Sequence, residues 1–291
     1  MASKKGQGFL RNQTKSKVVG VYRRRERRRV RFSLRFTRRI FYFATLALLG
    51  GGFFYFFFVS SYFKITNVEI LGVESISQEE VQSGVENVFA QKKLGFFNSK
   101  NYFLAPVEKL QASLLEQFPK IGIVSLEKIY RNTLQVHIEE RVMLGVWCLA
   151  SRDRLENCFY FDKEGVIFEE APKSFGSLMM SVEDRRDIEA NLGSAVLGGE
   201  QVAFAQDAQG LVSRNFPFSI QTFLITKAGE YEILTSEGWR VFLNKSAGVE
   251  YQLSNLKYVL DEKIKTRRGE LEYADLRLGN KVYYKYRSGV D

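Results

Sequence analysis

The chain has 291 residues, 45% of them hydrophobic and 26% charged, which is enough for more than one domain. It holds one histidine and two cysteines, a supply that nearly excludes zinc or copper centres built from those ligands. Its net charge of +10 is lopsided: residues 1–39 carry fifteen Lys or Arg and a single acid, Glu26, so this segment is +14 and the other 252 residues sum to −4.

Residues 1–22, rich in Gln, Ser, Gly and Lys, have the composition of a disordered tail. The run Arg23-Arg24-Arg25-Glu26-Arg27-Arg28-Arg29 suits phosphate, either of nucleic acid or of anionic lipid headgroups, the latter at about 1 kcal/mol per basic residue. It has no interleaved aromatics on which bases would stack, so no specific nucleic acid is expected. Its simplest role is to set topology.

Ile40–Phe63 contains no Asp, Glu, Lys, Arg, His, Asn, Gln or Pro. As one helix it would reach about 36 Å against roughly 30 Å of bilayer hydrocarbon, which predicts a single transmembrane helix over 40–63. With 1–39 so basic, that tail belongs in the cytoplasm and the rest outside. A cleaved signal peptide would have a shorter leader and a shorter apolar core, although Val59-Ser60-Ser61 resembles a weak cleavage site. A buried helix of a soluble protein is disfavoured by the length. Ala47 with Gly51, and the run Gly50-Gly51-Gly52, offer a smooth patch for another membrane helix.

Over 64–141 the elements read strand, helix, helix, strand, strand. Val68 and Ile70 flank Glu69 in a first strand that ends at Gly72. Ser77-Gln78-Glu79-Glu80 fits a capping box, with Val81, Val85, Val88 and Phe89 on one helical face behind it. Pro106 opens a second helix through Val107, Leu110, Leu114, Leu115 and Phe118, and Pro119 ends it. Strands Ile121–Tyr130 and Leu134–Glu140 meet at a turn around Asn132-Thr133. His137 falls on the polar face of the second and is expected to be solvated.

From 142 to 291 the chain reads as mainly antiparallel β with flanking helices. Val146–Leu149 and Phe159–Phe161 flank a polar loop, Ala150–Asn157; Asp162-Lys163-Glu164-Gly165 turns into Val166–Phe168. Residues 171–200 have little period and read as an irregular excursion. A helix follows Gly198-Gly199 through Val202, Ala208 and Leu211, and strands Tyr231–Leu234 and Trp239–Leu243 come next. Val249, Leu253, Leu256, Leu260 and Ile264 mark a stronger helix, and Leu271–Leu278 with Lys281–Tyr286 form a hairpin about Gly279-Asn280. Cys148 and Cys158 are symmetric about Asp153; if the hairpin is centred there, a disulfide is geometrically possible, and the alternative is a pair of small buried apolar side chains.

No constellation of catalytic groups emerges. Ser125-Leu126-Glu127-Lys128 matches S-x-x-K, but that serine should open a helix and be joined by S-D-N and K-T-G, whereas here it lies in a strand and both companions are missing. Glu139-Glu140 and Glu169-Glu170 point to opposite faces of their strands, and no phosphate-cradling glycine loop follows any strand. Neither enzymatic activity nor a cofactor is expected.

The order of parts resembles the FtsQ/DivIB bacterial cell-division family. The resemblance rests on Phe63-x-Ile65-x-x-Val68-x-Ile70-x-Gly72, Glu140-Arg141, Phe161-Asp162-Lys163-Glu164-Gly165-Val166-Ile167-Phe168, and Asp275-Leu276-Arg277 with Val282-Tyr283-Tyr284-Lys285. Two prolines usual in that family are replaced by Arg131 and Met143, and 173–200 does not align. The resemblance implies an α+β protein with a basic tail (1–39), one span (40–63), a POTRA domain (64–141) and an extracytoplasmic β domain (142–291). It also implies a non-catalytic divisome member at the septum that binds small bitopic proteins of FtsB/DivIC and FtsL type. The final strand, with Val282, Tyr284 and Tyr286 alternating against Tyr283 and Lys285, reads either as an edge that accepts an added strand, helped by Leu276 and Arg277 on its neighbour, or as a plain half-buried hairpin. Other readings are a POTRA module that guides exported polypeptides, although no repeats or barrel strands accompany it, and a membrane-anchored cell-wall enzyme.

Overall fold

A computed structural model describes residues 34–90, 100–151, 154–173, 179–227 and 230–287. The arginine run at 23–29 and the expected disorder of 1–22 lie outside the described residues. The chain divides into two compact units, Met1–Gly52 and Phe53–Asp291.

The first unit holds most of helix α1 (Leu34–Phe54), which starts before the apolar run and includes Arg35, Arg38 and Arg39. The stretch Phe36–Phe63 is long and apolar enough to cross a membrane. The apolar helix expected over 40–63 is present, and its end is irregular. A wide turn occupies Tyr55–Val59, Ser60 is extended at ψ 146°, and a short 3-10 turn covers Ser61–Phe63. Ser60 Oγ accepts from the Tyr62 amide, and Phe63 is buried in the folded part.

The second unit contains two sheets. In the smaller, β1 (Asn67–Leu71) leads to helices α2 (Gln78–Ala90) and α3 (Val107–Gln117), then to β2 (Ile121–Ile129) and β3 (Thr133–Glu140). The order is β1-β3-β2, with β1 parallel and β2 antiparallel to the central β3. Gly72 leaves β1 at φ +84°, and a side chain there would run into the Ile138 carbonyl. Val81, Val85, Val88, Phe89, Leu110 and Leu114 pack onto Val124, Leu134, Val136 and Ile138. At the start of α2 the Ser77 hydroxyl donates to Glu79 Oε2 (2.6 Å) and the Ser77 carbonyl accepts from the Val81 amide (3.2 Å).

The larger sheet has nine strands. Its members in chain order are β4 (Gly145–Ser151), β5 (Arg154–Phe161), β6 (Ile167–Glu170), β7 (Met180–Asp184), β8 (Ile220–Lys227), β9 (Glu230–Thr235), β10 (Arg240–Asn244), β11 (Leu271–Asp275) and β12 (Tyr283–Tyr286). The spatial order is β12-β11-β10-β9-β8-β7-β4-β5-β6. Pairs β4–β7, β7–β8 and β10–β11 are parallel and the others antiparallel, so the fold is mixed α+β with a largely antiparallel sheet. Helices α4 (Gly199–Asn215) and α5 (Val249–Val259) share one core with Trp147, Phe161, Val182, Phe223, Ile233 and Val241. Beyond α5 a wide turn, Leu260–Ile264, keeps Leu260 and Ile264 buried in that core.

Three expectations are corrected here. The excursion at 171–200 supplies β7, a strand inside the sheet between β4 and β8. Its Asp184 is fully buried, where it accepts from Trp147 Nε1 (3.1 Å) and pairs with Arg186, whose other contact is the Val196 carbonyl. Most of the polar loop 150–157 is ladder: Ala150 faces Leu155, and Cys148 faces Cys158, the two sulfurs being bonded. The final hairpin is wider than a Gly-Asn turn: pairing of β11 with β12 ends at Asp275 and Tyr283, which leaves residues 276–282 between the strands.

Candidate functional site

Among the described residues the C-terminal strand β12 has one neighbour, β11, and so forms an edge of the larger sheet. Its approach is built by Asp275-Leu276-Arg277. Asp275 Oδ1 accepts from the Arg277 backbone amide (3.0 Å) and from its Nε (2.9 Å), and Oδ2 accepts from the same guanidinium (2.8 Å). Arg277 also reaches Glu230 (3.1 Å) and lies 5.0 Å from the Phe242 ring centre. Hydrogen bonding from Arg277 holds the Asp275 carboxyl below its ordinary value against the opposing effect of burial, and the same bond raises the guanidinium.

This turn ends β11 and folds Leu276 inward, 1% exposed, which corrects its expected role: a partner cannot touch it. Gly279, at φ +73°, then reverses the chain. Val282 and Tyr286 pack against the core from the far side of the turn. Tyr283 and Tyr284 remain 49% and 40% exposed. Tyr284 and Tyr286 share a face with their rings 5.7 Å apart, and the Arg267 guanidinium sits 4.3 Å over the Tyr286 ring. Lys285 pairs with Glu272 at 2.7 Å. The edge thus presents open backbone beside two exposed phenols, with a third ring pinned as a wall.

The residues weighed for catalysis do not converge. Ser125 is exposed in β2 opposite His137, and the ring of His137 contacts Gln135 (2.9 Å). The Lys128 amine donates to the carbonyls of Tyr102 (2.9 Å) and Ala105 (3.3 Å), so the S-x-x-K pair is split between different environments. Burial lowers that lysine's pKa.

The Glu140-Arg141 and Asp162-x-x-Gly165 motifs, by contrast, meet where the two sheets join. Glu140 accepts from the amides of Glu74 (2.7 Å), Ser75 (2.9 Å) and Ile76 (3.2 Å) and from the Ser75 hydroxyl, tying the exit of β1 to the end of β3. Burial works to raise its pKa, but the hydrogen bonds together hold it below the ordinary value. Arg141 pairs with the buried Asp162 and donates to the Pro119 carbonyl (3.2 Å), while Asp162 Oδ1 takes the Glu164 and Val166 amides. Both motifs are plain in the sequence but not their partnership; the available signal is an adjacent acid and base at the seam between a strand end and a hairpin.

Residues 63–141, which hold the smaller sheet and its two helices, match the family model described as the POTRA domain, FtsQ-type. The chain therefore carries an FtsQ-type POTRA domain. The match covers that domain alone, and through it the chain is similar to division-related POTRA proteins. No curated protein matches the chain.

Proposed function

We propose that this protein is a non-catalytic, single-pass scaffold of the bacterial divisome. In this reading residues 1–39 are a cytoplasmic tail near anionic headgroups, 40–63 the anchor, 64–141 the POTRA domain and 142–291 an extracytoplasmic partner-binding domain at the septum of the inner membrane. Its partners are bitopic division proteins of FtsB/DivIC and FtsL type, and its output is control of septal peptidoglycan synthesis. The observation that carries the reading is the pairing of an FtsQ-type POTRA domain with a sheet that ends in the open strand β12.

The contact is strand addition. A peptide pairs its backbone with β12, Tyr283 and Tyr284 supply ring surface, Tyr286 and Val282 back the strand, and Arg277 fixes the turn behind it. Pull-down of the full chain from detergent extract is expected to bring along two short coiled-coil membrane proteins. The double variant Tyr284→Asp with Tyr286→Asp is expected to lose them while the fold, followed by circular dichroism, persists. Retention of both partners by that folded variant would refute the edge-strand site.

A further inference from the structure

The apolar run ends against the POTRA domain instead of in a free linker. Buried Asn101 donates from Nδ2 to the Phe57 carbonyl (2.9 Å) and, at 3.4 Å, to that of Phe58, and its Oδ1 accepts from the Phe103 amide (2.9 Å). The Tyr102 amide donates to the Phe63 carbonyl (2.8 Å), and the Phe63 ring lies 5.2 Å from both the Phe57 and Phe103 rings. From the turn between β2 and β3, Arg131 NH1 donates to the Tyr62 hydroxyl (2.7 Å), with its guanidinium 4.5 Å over that ring. Two loops far apart in sequence are therefore fixed to the last residues of the span.

Those loops expose what a lipid interface binds. Phe103 is 47% and Tyr130 71% exposed, with Leu104, Val59 and Tyr62 also exposed. Phenols combine a ring that enters the acyl boundary with a hydroxyl that stays at headgroup level. Exposed Lys64 and Arg131 add positive charge where phosphates lie. The patch is continuous with the last residues of the apolar run, Phe57, Tyr62 and Phe63, and this continuity identifies the occupant.

We infer that Phe103, Leu104, Tyr130 and Arg131, with Tyr62, rest in the headgroup layer, so that the POTRA domain is seated on the bilayer surface at a second contact beyond its anchor. The inference rests on the reading of 40–63 as a span, and its test separates the two. Full-length protein in vesicles of phosphatidylethanolamine and phosphatidylglycerol would carry one added tryptophan at a time, the signal of buried Trp147 and Trp239 being subtracted. Leu48→Trp reports the span, Phe103→Trp and Tyr130→Trp the proposed surface, and Glu74→Trp the opposite end of β3, about 23 Å away at 3.3 Å per residue.

Phe103→Trp and Tyr130→Trp are expected to be quenched roughly twofold more by a nitroxide near the glycerol than by one at the chain end, as interfacial side chains are. Leu48→Trp should show the reverse order, and Glu74→Trp no quenching. Quenching of Leu48→Trp with none at positions 103 and 130 would overturn the seated surface and spare the anchor. No quenching at position 48 would remove the anchor and the inference with it.

Discussion

At one end of the nine-stranded sheet β6 is covered, and at the other β12 is bare among the described residues. The Ile167 amide donates to the Ser194 carbonyl (3.1 Å), the Gly193 amide donates to the Ile167 carbonyl (2.7 Å), and Val166 bridges Ala195. The amides of Val196 and Leu197 add bonds to the Gly165 carbonyl. Terminal strands are templates for unwanted pairing, and covering one with a loop is a common remedy. The fold uses that remedy at β6 and leaves β12 with four residues of open backbone flanked by tyrosines. A sheet that closes one edge and keeps the other open supports the proposal that the open edge is a recognition element.

The largest effect is expected where the closed edge depends on one glycine. Gly165 sits at φ +78°, and a Cβ there would lie 2.2 Å from the Leu197 carbonyl oxygen. Gly165→Ala combines left-handed strain with a backbone clash, so a loss of roughly 2–4 kcal/mol is expected, read by urea unfolding through the buried tryptophans. At temperatures where the variant remains folded, partner capture should be unchanged. If capture falls instead, the two edges are not independent.

A smaller loss is expected one strand further in. The Cys148–Cys158 bridge joins β4 and β5 with ten residues of separation, and closing so short a loop contributes about 2–3 kcal/mol by the chain-entropy account. Replacing both cysteines by Ala should lower the free energy of unfolding by that amount, read as a lower unfolding midpoint, and again leave β12 competent. A midpoint that does not move would mean that the bridge adds nothing to an already paired hairpin.

The same contrast explains what the sequence made legible. The POTRA region could be read almost element by element, because α2 and α3 each lay an apolar stripe on a sheet with clean alternation, and Gly72 marked its turn. In the larger sheet β7 was hidden: Met180-Ser181-Val182-Glu183-Asp184 places Ser181 and Asp184 in buried positions, so a central strand lacks the continuous apolar run that parallel neighbours usually demand. Its carboxylate is tolerated only because Trp147 and Arg186, invisible as partners in sequence, satisfy it. At the open edge the alternation of Val282, Tyr284 and Tyr286 was readable. Leu276 was not, because the turn that tucks it away is made by Asp275 bonding a residue two places on.

That turn supports the smallest effect and the sharpest distinction between the edges. Arg277 touches Asp275, Glu230 and Phe242 but is one-third exposed, so solvent screening limits Arg277→Ala to about 1 kcal/mol or less in stability. Its effect on capture should be larger than its effect on unfolding, the reverse of Gly165→Ala, because it loosens the chain entering β12. The acid response carries the same signature. The folded pKa of Asp275 lies below its ordinary 3.8, so the stabilisation it contributes is fully present above that pH and is lost as pH falls through the lower folded value. Wild-type stability from this pair should therefore be flat between pH 5 and 8 and decline below about pH 4. Arg277→Ala should flatten part of that decline. An acid profile that Arg277→Ala leaves unaltered would mean the turn is held by backbone alone and that the ion pair does not organise the open edge.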